Sequence, residues 1–268
     1  MYERLGIMTL SSVLKKDGHD VRLNLTEEAN ESEIIQKVKD YEPDVLAYSV
    51  MTGEHIYHIE LNQMVKSHYS NAISVFGGPH PTYCPEMIEK DGVDAICRGE
   101  GEIYFPELVN KLEKKKDFYE TKNFWFKKKD GSIIKNSIGK LIPELDSNPE
   151  PDRKLMYDAD KALRVRGTKL FMATRGCPYQ CTYCFNHAYN ALTKGKGEMI
   201  RSRSVDSIIN EIKEVQKDYF MDRVNIDDDI FLLKPKGWLE EFAEKYPKEI
   251  GLPLYCNIRP ELVNEQTG

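Results

Sequence analysis

Cys177, Cys181 and Cys184 stand in one short polar segment with the spacing C-x3-C-x2-C. The segment follows directly on Leu170-Phe171-Met172-Ala173, an apolar run that reads as a strand. A loop this compact can turn three thiolates toward one point, as a metal ion or an iron–sulfur cluster requires. Electron-carrier clusters take four cysteines, with the fourth supplied close by, and no fourth stands near these three. A four-iron cluster bound here would leave one iron without a protein thiolate and open to a small molecule. A second reading stays open: His187 follows Cys184 with two residues between, and the four side chains together could close a tetrahedral zinc site. Zinc ligands more commonly come as two separated pairs. Ordinary core cysteines fit worst, because a polar loop is poor core material.

The loop resembles the CxxxCxΦC signature of the radical S-adenosylmethionine enzymes, with Tyr183 at the aromatic position. The resemblance implies a 4Fe-4S cluster on Cys177, Cys181 and Cys184 whose open iron chelates the amino and carboxylate groups of S-adenosylmethionine. One electron, from a donor such as flavodoxin or ferredoxin, would then give methionine and a 5′-deoxyadenosyl radical. It also implies a partial (β/α) barrel with this loop at the carboxyl end of its first strand. Tyr183 is then expected beside the adenine or the cluster. Asp227, Asp228 and Asp229 follow the next expected strand, Arg223–Asp227, where the family contacts the amino group of S-adenosylmethionine. Three adjacent acids also suit a solvated turn. Arg203 and Arg259 are candidates for the methionyl carboxylate, and surface positions suit them equally.

Composition narrows the classes. The chain has 268 residues, 40% of them apolar, enough for two domains with real cores. A net charge of −6 argues against a broad polyanion-binding surface, so nucleic acid is not an expected partner. The lysine-rich runs Lys111–Lys116 and Lys127–Lys129 read as solvated faces. No apolar stretch approaches a membrane span, and no signal peptide opens the chain. Cys84, Cys97 and Cys256 stand apart without framework spacing, which together predicts a reducing cytoplasm.

The N-terminal part alternates helix and strand. Ile7, Leu10, Val13 and Leu14 recur at helical spacing, and Val21–Leu25 reads as a strand. Further short apolar runs at 44–50, 73–76 and 95–97 are separated by helical patterns, the last over Glu102–Lys114. This order predicts parallel strands with crossover helices, a Rossmann-like, flavodoxin-like α/β domain. Ligands of such sheets sit outside the carboxyl ends of the strands. Turn-rich segments fall at those ends: Ser49-Val50-Met51-Thr52-Gly53, Gly77-Gly78-Pro79-His80-Pro81 and Arg98-Gly99-Glu100-Gly101-Glu102.

Together these loops resemble the cobalamin-binding domain, whose pattern runs DxHxxG, then SxL, then GG. Ser49-Val50-Met51 stands where SxL belongs, and Gly77-Gly78 follows where the nucleotide tail would pass. No DxHxxG is present; Glu3 falls where the cobalt-ligating histidine would be. The resemblance is therefore to radical enzymes that bind cobalamin without histidine ligation. It brings Ser49, Thr52, Gly53, Gly77, Gly78, Pro79, His80, Glu100, Gly101 and Glu102 forward as cofactor contacts, with His80 a loop residue near the corrin.

The expected domains are 1–117, the Rossmann-like domain; 118–160, a hairpin and linker turning at Asp130-Gly131; and 161–268, the first half of a radical S-adenosylmethionine barrel. The series opens on a helix and only three barrel strands fit, so sequence is expected to be missing beyond both ends. The favoured function is a cobalamin-dependent radical enzyme transferring a methyl group, or forming a ring, at an unreactive carbon of a small molecule. A methylthiotransferase would carry three further upstream cysteines, where this chain has only Cys84 and Cys97. A non-catalytic zinc or cobalamin-binding module is the remaining alternative.

Overall fold

The computed structural model describes residues 3–26 and 29–263. In chain order the elements begin α1 (Leu5–Lys16), α2 (Glu31–Tyr41), β1 (Val45–Ser49), α3 (His55–His68), β2 (Ile73–Gly77), α4 (Pro79–Tyr83) and β3 (Ala95–Cys97). Next come α5 (Tyr104–Glu113), β4 (Phe124–Lys127), β5 (Ile133–Lys135), α6 (Arg153–Ala159), α7 (Lys161–Val165), β6 (Thr168–Phe171) and β7 (Thr174–Arg175). The last are α8 (Asn186–Leu192), β8 (Arg201–Ser202), α9 (Val205–Asp218), β9 (Arg223–Ile226), α10 (Trp238–Glu249) and β10 (Leu254–Cys256). Two compact units result: Asn24–Ile142 with Ala191–Lys196, and Met1–Leu23 with Pro143–Asn190 and Gly197–Gly268.

In the first unit, β1, β2 and β3 pair in parallel, with Val45 opposite Ile73 and Val75 opposite Ala95. Helix α2 starts where the Asn30 side chain accepts from the Glu33 amide, and it packs Ile34 and Val38 against Leu61 and Val65 of α3. The hairpin turns at Asp130-Gly131 as expected, but it is no mere connector. Strand β4 pairs antiparallel with β3, and β5 with β4, extending the sheet to five strands. The reason is alternation: Phe124 and Phe126 are buried while Trp125 and Lys127 lie on the other face. Residues 21–25, expected as a strand, form none, and Leu23 packs beside Met8, Met156 and Leu163 instead.

The second unit is built on β6, β9 and β10, which run parallel in the order β10-β9-β6. Helix α9, N-capped by Ser204, and helix α10 supply the crossovers. Val205, Ile208, Ile209, Ile212 and Val215 meet Phe171, Val224, Ile226, Trp238 and Phe242 in one core. Pro235 lies just before α10, which is capped at Gly237. Strands β7 and β8 form a short antiparallel ribbon, Thr174 opposite Ser202, that no periodicity announced.

Helix α1 belongs to this second unit rather than to the Rossmann-like one. The cause is a buried ionic clasp. Glu3 Oε2 accepts from the Leu170 amide at 2.7 Å, and Arg153 donates to the Leu170 carbonyl at 2.6 Å. Arg153 also binds Glu3 (3.2 Å) and Glu211 (2.7 Å), Glu211 in turn holds Arg203, and Tyr157 donates to Glu3 at 2.7 Å. The outer edge of β6 is thus satisfied by side chains instead of another strand.

Candidate cofactor-binding sites

The cysteine loop leaves the carboxyl end of β6. Asp228, at the end of β9, accepts from the amides of Ala173 (2.8 Å) and Thr174 (2.9 Å) and fixes that exit. Gly176 then turns the chain with φ +97°, and a Cβ there would come 2.0 Å from the Met199 carbonyl oxygen, so only glycine fits. Cys177 is buried, while Cys181 and Cys184 are half-buried. The Cys184 amide donates to the Cys181 carbonyl at 3.0 Å, and Asn190 Nδ2 donates to the Cys177 carbonyl at 2.8 Å. The Arg259 guanidinium stacks 3.9 Å from the Tyr179 ring centroid and donates to Cys181 Sγ at 3.3 Å.

Burial, then the nearby Asp229, Cys184 and Cys181, push the Cys177 thiol up. A cation reverses that penalty, because iron favours the thiolate. The donor set therefore suits a cluster: three soft sulfur donors on one loop, one with a guanidinium to temper its charge. The loop gathers the thiols without drawing them fully together; among the described residues no three Cys, His, Asp or Glu side chains stand at metal-holding distance. His187 is exposed on α8.

The other residues singled out from sequence separate. Asp228 is buried with both oxygens engaged, the second by Lys234 at 2.5 Å, so it organises the loop and is not free for an ammonium. Asp227 and Asp229 are exposed. Crowding by protein atoms and then the charges of Asp228 and Asp229 push the Asp227 carboxyl up. Arg203 is occupied by Glu211, with Ser207 Oγ at 2.9 Å, which removes it from the methionyl-carboxylate role. Tyr183 is 91% exposed. Sequence reasoning missed Lys234, which lies on the far side of a turn from Asp228 and carries no motif.

In the Rossmann-like unit, the loops after β1 and β2 interlock. The Val50 amide donates to the Gly77 carbonyl at 2.8 Å, and the His80 amide donates to the Val50 carbonyl at 3.0 Å. Gly78 has φ +96°, and a Cβ there would lie 3.0 Å from both Val50 N and Val50 O. The close approach is made by the chain's own Val50 backbone, so the interlocked loops themselves require glycine at this turn. Gly78→Ala is expected to cost about 1–3 kcal/mol through strain at this turn and to weaken cobalamin binding, measured by denaturation and by titration of cobalamin absorbance.

His80 is buried, with Nδ1 3.2 Å from Thr52 Oγ1 and its ring stacked on His55 at 4.0 Å between centroids. Burial first, and then His55, lower its pKa, with Glu86 opposing. The fold therefore prefers the neutral ring. Its contribution is fully present above the ordinary imidazole pKa of about 6.5 and is lost as pH falls through the lower folded value. Between about pH 7.5 and 5.5 the wild type is expected to lose more stability than His80→Gln, read by urea denaturation at each pH. Glu100 accepts from the Ile142 amide at 3.1 Å, and Glu102 is buried. Ser49 is half-buried beside Gly78, and Met51, Thr52 and Gly53 are exposed.

The B12 binding domain family matches residues 2–109. An uncharacterized methyltransferase of Pyrococcus horikoshii is 30% identical over 98% of this chain and 57% of its own length. The anaerobic magnesium-protoporphyrin IX monomethyl ester cyclase of Synechocystis sp. is 26% identical over 90% of this chain and 48% of its own. The chain thus spans about half the length of the curated relatives it matches. The solved structure of the cobalamin-dependent S-adenosylmethionine radical enzyme OxsB shares the fold with a TM-score of 0.78 at 20% identity, covering 98% of this chain and 38% of that one. Residues 2–109 thus match the B12 binding domain, the three-cysteine loop follows on a parallel (β/α) sheet, and the chain is similar over nearly its whole length to a methyltransferase and shares the fold of a cobalamin-dependent S-adenosylmethionine radical enzyme.

Proposed function

We propose that the protein is a cobalamin-dependent radical S-adenosylmethionine enzyme that transfers a methyl group, or closes a ring, at an unreactive carbon of a small-molecule substrate. The observation that carries this reading is the three-thiol loop at the end of β6 in a chain whose N-terminal part matches the B12 binding domain. The similar methyltransferase and cyclase support the two reaction types. When bound, the cluster supplies single-electron reduction of S-adenosylmethionine, and cobalamin supplies a methyl carrier.

Cys177, Cys181 and Cys184 hold the cluster. Asp227 or Asp229, exposed at the end of β9, accepts from the ammonium of S-adenosylmethionine. Arg259 hydrogen-bonds a cluster thiolate, and its second role is to attract the methionyl carboxylate. Ser49, Thr52, Gly77, Gly78, Pro79 and His80 form the cobalamin surface without a cobalt-ligating histidine. An electron donor such as flavodoxin or ferredoxin would reduce the bound cluster.

The test is anaerobic reconstitution with iron, sulfide and cobalamin. Reductant and S-adenosylmethionine are expected to yield 5′-deoxyadenosine. A colourless protein with stoichiometric zinc and no iron would point to the scaffold reading, and two clusters per chain to a methylthiotransferase.

A further inference from the structure

Lys234 has no place in the chemistry above, yet its side chain and that of Asp228 are both 0% exposed. The ion pair between them does more than neutralise charge. The carboxylate oxygen that Lys234 does not use receives the amides of Ala173 and Thr174 at 2.8 and 2.9 Å. Lys234 Nζ also donates to Thr174 Oγ1, which lies 3.1 Å from Ser202 Oγ across the β7–β8 ribbon. The rings of Phe231 and Trp238 close over the ammonium at 4.9 and 5.0 Å. A single ammonium thereby ties together the exits of β6 and β9, the ribbon and the start of α10.

We infer that Lys234 is a positioning residue for the cysteine loop: by neutralising and orienting Asp228 it fixes Ala173 and Thr174, and so sets where the chain turns into Gly176 and Cys177. Its consequence for the cluster rests on the function proposed above; its geometry does not. Without the ammonium, Asp228 keeps a charge with no counter-ion in a dry site. The carboxylate then turns toward water or takes up a proton, and the two amides lose their acceptor.

Lys234→Met keeps the hydrocarbon packed on Phe231 and Trp238 and removes only the charge. Lys234→Met/Asp228→Asn removes both charges while leaving an amide oxygen to accept from the backbone. Hydrogen–deuterium exchange over residues 171–176, before any metal is added, is expected to be at least about tenfold faster at Ala173 and Thr174 in the single variant. After anaerobic reconstitution, that variant is expected to hold at most about half the wild-type iron, with an altered electron paramagnetic resonance response to S-adenosylmethionine. The double variant is expected to regain protection and iron to within about twofold, because no charge is stranded.

Unchanged exchange and an unchanged spectrum in Lys234→Met would overturn the inference. So would a double variant as impaired as the single one. If Lys234→Met fails to fold, rescue by the double variant decides the matter. If the wild type itself takes up no iron, the cluster reading falls while the exchange experiment still judges Lys234.

Discussion

Cys177→Ala is expected to eliminate 5′-deoxyadenosine formation, a loss on the order of a thousandfold or more, while leaving the protein folded. Cys177 is the buried member of the trio, and Gly176 and Asn190 hold its backbone on both sides. Cys181 and Cys184 alone would offer iron two thiolates, too few to retain a four-iron cluster in the presence of chelator. The small cavity left by removing one sulfur is modest beside the core of this unit, so unfolding is not the route of failure. Iron and sulfide assays on reconstituted protein, with a melting curve alongside, check both halves. Full iron content in the variant would sink the ligand assignment, and a collapsed melting curve would leave loss of iron unexplained by ligation alone.

Arg153→Met is expected to destabilise the barrel-like unit by about 3–5 kcal/mol, the usual consequence of stranding a buried counter-charge. Here two carboxylates, Glu3 and Glu211, lose their shared partner at once. Burial pushes the Glu211 carboxyl up, but Arg153 and Arg203 more than offset it, leaving it below the ordinary carboxylate range. That depressed value means the clasp contributes fully above the unfolded carboxyl pKa and is lost as pH falls through the folded one. The variant should therefore show a flatter acid limb as well as a lower midpoint in urea. Glu3→Gln together with Arg153→Met should recover part of the loss. A change of less than about 1 kcal/mol in the single variant would mean that the clasp is not dry.

Much of this was legible before any coordinates. Short apolar runs bounded by turn residues located β1, β2, β3, β6 and β9, because burial on both faces is a local property. The cysteine spacing named its own loop. What failed was whatever depended on a distant partner. Val21–Leu25 has strand composition but finds no neighbour in the sheet, and the hairpin's place in that sheet is decided by where Phe124 and Phe126 are buried. Asp228 looked equivalent to Asp227 and Asp229 in a run of three acids. Only the fold shows that one of them turns inward to Lys234 and two backbone amides. Arg203 likewise looked available until Glu211 was seen to hold it.

The margin of the second sheet, where Glu3 and Arg153 occupy the hydrogen-bonding groups of Leu170, has a further implication. A ribbon whose flank is sealed by charged side chains offers no template for a stray β-segment from another molecule. Loss of that seal should surface as self-association during refolding, in concentrations where the native protein stays monodisperse. The clasp then guards against aggregation as much as it supports the fold.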